Sequence, residues 1–268
     1  AGGVSSLSPL EDEAKLTTYI WQQQVLSEMN FTHLYRTSSP YDPPTPPEPN
    51  QQQGLTSNSF KNHLNLGYST ILIAGHGLPT KFNDYFGDIY TSSDTSTNYY
   101  MPSLIYSDAC STASYDKTDN NLGELLIKRV NSGAIGFIGA LRITWYFEND
   151  EDFEMLNRGN AKLFWEEFFL NEKYQPGRAL YDSKVAYMNS SYFTEGRASM
   201  NDEWERKNVL SYCLLGDPEI DIYTDLPIGI KNPFKGTIYE CERLSVVIRN
   251  ERNEIVPDAR VHIYTADG

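Results

Sequence analysis

Thr70-Ile71-Leu72-Ile73-Ala74-Gly75-His76-Gly77 is matched further on by Ser103-Leu104-Ile105-Tyr106-Ser107-Asp108-Ala109-Cys110, whose cysteine lies 34 residues beyond that histidine. Each stretch carries an apolar run that does not alternate. Such a run fits a strand buried on both faces, as in a parallel sheet covered by helices. Each run ends in a residue with chemistry to offer. In open parallel sheets, sites gather at the carboxyl ends of strands, and a separation of 34 residues is about one crossover unit. Neighbouring strands joined that way bring His76 and Cys110 to one edge. A thiolate is a strong nucleophile near neutral pH, and a nearby imidazole activates it and supplies a proton. Gly75 and Gly77 leave main-chain N–H groups accessible, donors of the kind that hold an oxyanion. A lone cysteine after a strand reads as a small buried hydrophobe, and a lone histidine in a glycine turn as structural. The pair on successive strand ends outweighs both readings.

Toward the N-terminus, Leu16, Ile20, Val25 and Met29 recur at helical spacing and predict a helix over 11–29. Residues 31–36 read as a short strand. Residues 40–49 hold six prolines and read as an exposed loop. Residues 59–67 read as a helix stopped by Gly67. Residues 78–101 are polar and rich in Tyr, Ser and Thr, and are expected to form a long surface excursion. Toward the C-terminus, helices are expected over 122–130, 160–170 and 177–189. Strands are expected over 134–138 and 209–215, then the turn Gly216-Asp217-Pro218 and a short run at 220–223. Strands alternating with helices make a largely parallel, doubly covered sheet.

After Pro227 the pattern changes. Residues 236–248 and 259–265 alternate as sandwich strands do, with no helix between them. We read 1–226 as one α/β domain and 227–268 as the start of an immunoglobulin-like β-domain, too short to close a sandwich of about seven strands. No internal repeat is evident.

The chain has 268 residues and a formal net charge of −14. A chain this acidic repels phosphate backbones, which argues against nucleic acid as a partner. No run approaches a membrane span. Cys110, Cys213 and Cys241 are too few and too scattered for a disulfide framework or a thiolate zinc site. Cys213 sits in an apolar run and reads as core. Glu148 to Glu154 carries five acidic residues, which suits either a calcium ion or a solvated acidic loop.

Gly75-His76-Gly77 after one apolar strand and Asp108-Ala109-Cys110 after the next resemble the His-Gly and Cys pattern of clan CD peptidases. Further residues make the chain similar to the gingipain-like family, peptidase family C25. They are Asn65-Leu66-Gly67 before the histidine strand, Tyr115-Asp116 after the cysteine, Gly133-Ala134-Ile135 to Gly139, and Leu215-Gly216-Asp217-Pro218 at the domain's close. The match covers roughly 60–225. Where gingipains have a glycine soon after the cysteine, this chain has Ser111-Thr112-Ala113.

The resemblance implies a caspase-like sheet and a secreted or cell-surface cysteine endopeptidase that needs no cofactor and cleaves protein or peptide substrates. A basic P1 residue is common among its relatives. It implies Cys110 as nucleophile and His76 as proton donor, with the N–H groups of Gly77 and Cys110 as the oxyanion hole. Trp145 would flank the substrate's P1 side chain, although a core tryptophan is an equal reading. A carboxylate behind the histidine is also implied, and Glu11, Asp12, Glu13 and Glu28 all qualify. Asp108 reads as a strand-end structural residue. Residues 1–58 match weakly, so the chain is expected to begin inside the domain with the family's earliest strands missing, and a propeptide or preceding domain is expected as a partner. The alternative is a catalytically inactive caspase-like module serving binding or adhesion.

Overall fold

The computed structural model of the chain describes residues 1–7, 10–26, 29–36, 43–146, 152–195, 201–224, 230–231 and 247–256. The chain divides into two units, Ala1–Thr224 and Asp225–Gly268.

The first unit opens with a hairpin, β1 (Val4–Leu7) and β2 (Leu10–Asp12), leading into helix α1 (Ala14–Gln23). The helical spacing at 11–29 is thus shared between a strand and a helix. Glu11, Asp12 and Glu13 are all buried ahead of α1. Then come β3 (Thr32–Tyr35), β4 (Gln51–Gly54), α2 (Ser57–Leu66) and β5 (Thr70–Ala74). A capping box at α2, with Thr56 and Ser59 satisfying each other's amides, fixes its start two residues earlier than the apolar pattern indicates. The polar excursion after His76 is ordered as a three-stranded antiparallel sheet: β6 (His76–Leu78), β7 (Lys81–Asp84) and β8 (Gly87–Thr91). Its inward residues Phe82, Ile89 and Tyr90 are buried, so the run reads as polar overall yet supplies a core face.

Next are β9 (Ser103–Asp108), α3 (Leu122–Lys128), β10 (Ala134–Ala140), α4 (Leu156–Trp165), a π-helical turn over Glu166–Leu170, α5 (Pro176–Met188), α6 (Ser191–Glu195), α7 (Asn201–Ser211) and β11 (Tyr212–Gly216). The run from Val209, expected as strand, is still helix until Ser211. A short apolar run cannot be assigned by periodicity alone.

The main sheet has the order β11-β10-β9-β5. β5, β9 and β10 are parallel neighbours, and β11 closes the edge antiparallel to β10. β3 and β4 pair parallel to each other, and Gly2 bridges Tyr35 on one side and Ala74 on the other. Residues alternate between two faces. Leu104, Tyr106, Ile138 and Ala140 join a core with Leu16, Phe164, Trp165, Phe168 and Ala179 under α1, α4 and α5. Ile73, Ile105, Ala109 and Phe137 join a second core with Phe60, Phe82, Ile89 and Leu122 under α2, α3 and the small sheet. Each fully buried aromatic or aliphatic side chain contributes about 1.5–3 kcal/mol of transfer free energy. The expected α/β sheet flanked by helices is therefore present.

In the second unit, β12 (Ile230–Lys231) pairs antiparallel with β13 (Arg249–Asn250). Asn250 holds the turn that follows, its Nδ2 donating to Glu254 Oε2 at 2.7 Å and its Oδ1 accepting from Glu254 N–H at 2.9 Å. The immunoglobulin-like expectation rests on 236–248 and 259–265, nearly all of which lie outside the described residues.

Candidate active site

The parallel register of β5 and β9 places Ala74 opposite Asp108, and Gly75 N–H donates to Asp108 O at 3.1 Å. His76 and Cys110 each stand two residues beyond that pair, on adjacent chains. Both are half-buried. At Gly77 the chains are so close that an added Cβ would lie 2.4 Å from Cys110 O and 2.9 Å from Ala109 Cβ. Only glycine permits this approach.

The same hairpin orients the Gly77 amide. Pro79 and Thr80 form its two-residue turn, and Leu78 pairs with Lys81. Leu78 and Lys81 are thus the hydrogen-bonded pair, and Gly77 with Phe82 the open one. The N–H of Gly77 therefore points away from β7.

Cys110 is held by the chain leaving β10. Its Sγ donates to Thr144 O at 3.4 Å and accepts from Thr144 N–H at 3.4 Å. The next residue, Ser111, adopts a left-handed φ of 58°, a conformation that glycine takes more easily. The strain is held by Ser111 N–H donating to Arg142 O at 2.9 Å, by Ala113 N–H donating to Ala140 O at 3.1 Å, and by the Thr112 hydroxyl donating to Ser107 Oγ at 2.9 Å. Asp116 and Arg142 add a two-pronged ion pair at 2.9 and 2.6 Å on the exposed rim.

His76 Nε2 lies 2.8 Å from Ser5 O. A carbonyl only accepts, so Nε2 carries the proton and Nδ1 is the basic nitrogen of the neutral ring. Of the four candidate carboxylates, Glu11 and Glu13 accept from Arg158 at 2.8 Å each. Asp12 Oδ1 accepts from Ala14 N–H, and Glu28 lies outside the described residues.

Trp145 follows Thr144 directly and is half-exposed. Its ring stacks on Trp204 at 6.0 Å with a 6° interplanar angle, and the Lys207 ammonium sits 6.0 Å from its centroid. Asn208 clasps its main chain on both sides, accepting from Trp145 N–H and donating to Trp145 O. The ring is half-exposed and stacked on Trp204, and its chain neighbour Thr144 is the residue that contacts the Cys110 sulfur.

Asp108 is buried beneath this edge. Burial first, and the nearby Glu13 carboxylate second, push its carboxyl up to about 7, against the pull of the Tyr212 hydroxyl, which donates to Oδ1 at 2.8 Å. Cys110 and Cys213 are both free thiols. Burial pushes the Cys213 thiol up to about 11, which suits a core position. Cys241 lies outside the described residues.

Residues 148–151 of the acidic run also lie outside them. Among the described residues, no group of three or more His, Cys, Asp or Glu side chains is arranged to hold a metal ion, and no helix is long and apolar enough to cross a membrane. Sequence reasoning missed Ser5, Thr144 and Arg158. The first two act through main-chain atoms, which no side-chain pattern reports, and a lone arginine carries no spacing signal.

A largely parallel sheet flanked by helices, with His76 and Cys110 just past the carboxyl ends of the neighbouring strands β5 and β9, is the architecture of a caspase-like fold. The family model of peptidase family C25 matches residues 3–223, and the chain belongs to that family. No curated protein sequence matches it. Among solved structures it is similar to the Arg-specific cysteine proteinase gingipain R (RgpB), at 14% identity and TM-score 0.53 over 68% of this chain and 40% of that one. It is similar to a structure described as a protease, at 16% identity and TM-score 0.52 over 89% and 58%. It is also similar to the complex of Porphyromonas gingivalis RgpB pro- and mature domains, at 13% identity and TM-score 0.50 over 82% and 55%. The chain spans roughly half the length of the structures it matches. Identities this low speak to the fold alone.

Proposed function

We propose that this chain is a cysteine endopeptidase working through Cys110 and His76. The observation that carries the reading is the β5–β9 register, with Gly77 pressed against the cysteine's own carbonyl. The Cys110 sulfur attacks the scissile carbonyl. The outward N–H of Gly77 and the N–H of Cys110 take the oxyanion. His76 receives the thiol proton at Nδ1 and delivers it to the leaving amine as the C–N bond breaks. Water, activated by the same ring, then hydrolyses the thioester and regenerates the thiol. The Thr144 N–H is placed to steady sulfur as it gains negative charge.

Trp145 flanks the P1 side chain. The Lys207 ammonium over its ring illustrates the kind of group such a face attracts, in keeping with a basic P1 residue like that implied by the name of the Arg-specific relative. Substrates are proteins or peptides, met outside the cell or at its surface. A preceding domain or propeptide belongs to the same reading.

The test is incubation with peptide libraries varied at P1, beside a Cys110→Ala control, read by mass spectrometry. Cleavage after Arg or Lys that vanishes in the control supports the proposal. Absence of cleavage by every form, including one extended at the N-terminus, would turn the reading to an inactive binding module on the same scaffold.

A further inference from the structure

The sheet order β10-β9-β5 fixes which way a substrate crosses the candidate site. The chain leaving β10 brings Thr144 to the Cys110 sulfur from one side, and β5 delivers His76 on the other. With the P1 side chain beside Trp145, the leaving amine and the residue that carries it, P1′, fall on the His76 side. The imidazole must stand there in any case to hand that amine its proton.

The surface on that side is apolar. His76 and Leu78 are two residues apart in β6 and so share one face of the strand. The other face belongs to Gly77, whose cross-strand partner Phe82 is buried in the core. Leu78 is half-exposed. Its cross-strand partner Lys81 is answered within the small sheet by Asp88, at 2.7 Å. The second chain at the imidazole is β1, whose Ser5 carbonyl meets His76 Nε2 at 2.8 Å. Two residues past Ser5 stands Leu7, also half-exposed. Each of the two chains that meet at the ring thus carries an exposed leucine two residues further on.

We propose that Leu78 and Leu7 form an apolar subsite for the P1′ side chain, so that cleavage favours bonds followed by a residue such as Leu, Ile, Met or Phe. This rests on the reading of Cys110 and His76 as the catalytic pair. An exposed leucine by itself is ordinary; these two adjoin the group that must meet the leaving amine. An apolar P1′ side chain laid on them removes apolar area from water on both partners. A charged one would lose hydration with no partner to answer it.

The test is digestion of a peptide library with every residue type represented, read by mass spectrometry for the residue that follows each cut. That readout does not depend on P1. Wild type is expected to favour Leu, Ile, Met or Phe after the cut at least about tenfold over Ser or Asp. Leu78→Ser is expected to remove most of that preference, and Leu78→Glu to shift it toward Lys and Arg. Wild-type cuts indifferent to P1′, or an apolar preference that survives in both Leu78→Ser and Leu7→Ser, would overturn the subsite and leave the peptidase standing. If no form cleaves, the Cys110→Ala protein is titrated with fluorescent peptides that differ only in Leu or Ser after an Arg. Tighter binding of the Leu peptide, lost when Leu78→Ser is added, would support the subsite and sink the peptidase reading. Equal binding, or none, would overturn both.

Discussion

Ala74 lies opposite Asp108 in the parallel pair β5–β9, and the residues two places beyond each are His76 and Cys110. That single register relationship sets the candidate site, and most consequences can be checked around it.

Gly77→Ala tests the contact directly. The new Cβ would meet Cys110 O at 2.4 Å and Thr112 Cγ2 at 2.8 Å, so either β6 or the cysteine turn must move. Overpacking of this kind destabilises by about 1–3 kcal/mol. Peptide hydrolysis should fall by at least about tenfold, since misplacing a reacting group by about 1 Å is enough to do so. Thermal unfolding and kcat, measured together, check both halves.

Cys110 and Cys213 should differ sharply in reactivity. The Cys213 thiol, pushed up to about 11 by burial, is ionised in only about one molecule in a few thousand near pH 7.5. Iodoacetamide at limiting concentration should therefore alkylate Cys110 first, read by peptide mass spectrometry. Preferential labelling of Cys213 would contradict the assignment.

Asp108 makes stability fall as pH rises. Its carboxyl is pushed up to about 7 in the folded chain, against 3.8 for the ordinary group. Between those values the folded state keeps a proton that the unfolded state has lost, so stability declines with pH across that window and levels off above it. The integrated effect is on the order of 4 kcal/mol. Asp108→Asn should flatten the slope. Chemical denaturation at pH 4.5, 6 and 7.5 reads it.

Trp145→Ala should raise KM for substrates with Arg or Lys at P1 by about tenfold, the loss expected when an aromatic face no longer meets a cation, and change kcat less. Steady-state kinetics on matched P1-Arg and P1-Leu peptides would show whether the effect follows charge.

The parallel sheet was legible because its strands are buried on both faces. Ile71 to Ala74, Leu104 to Tyr106 and Ala134 to Ile138 read as uninterrupted apolar runs. The placing of His76 and Cys110 at one edge was legible because neighbouring parallel strands end on the same side of the sheet. The small sheet β6–β8 was not, since its buried large apolar side chains, Phe82, Ile89 and Tyr90, are scattered among many polar neighbours. Nor was the Ser5 carbonyl behind His76. A bulge in β1 leaves no trace in hydrophobic pattern, and a main-chain acceptor has no residue type. Asp116, matched only as part of a resemblance, acquires a physical role from its ion pair with Arg142 across the two loops that frame the cysteine.

Covalent trapping tests the central claim most directly. A peptidyl acyloxymethyl ketone with Arg at P1, incubated with the protein and with His76→Ala, should modify Cys110 alone and do so at least about a hundredfold more slowly in the variant, the usual scale for losing a general acid–base group. Modification at Cys213, or at Cys110 with equal speed in both proteins, would contradict a Cys110–His76 peptidase.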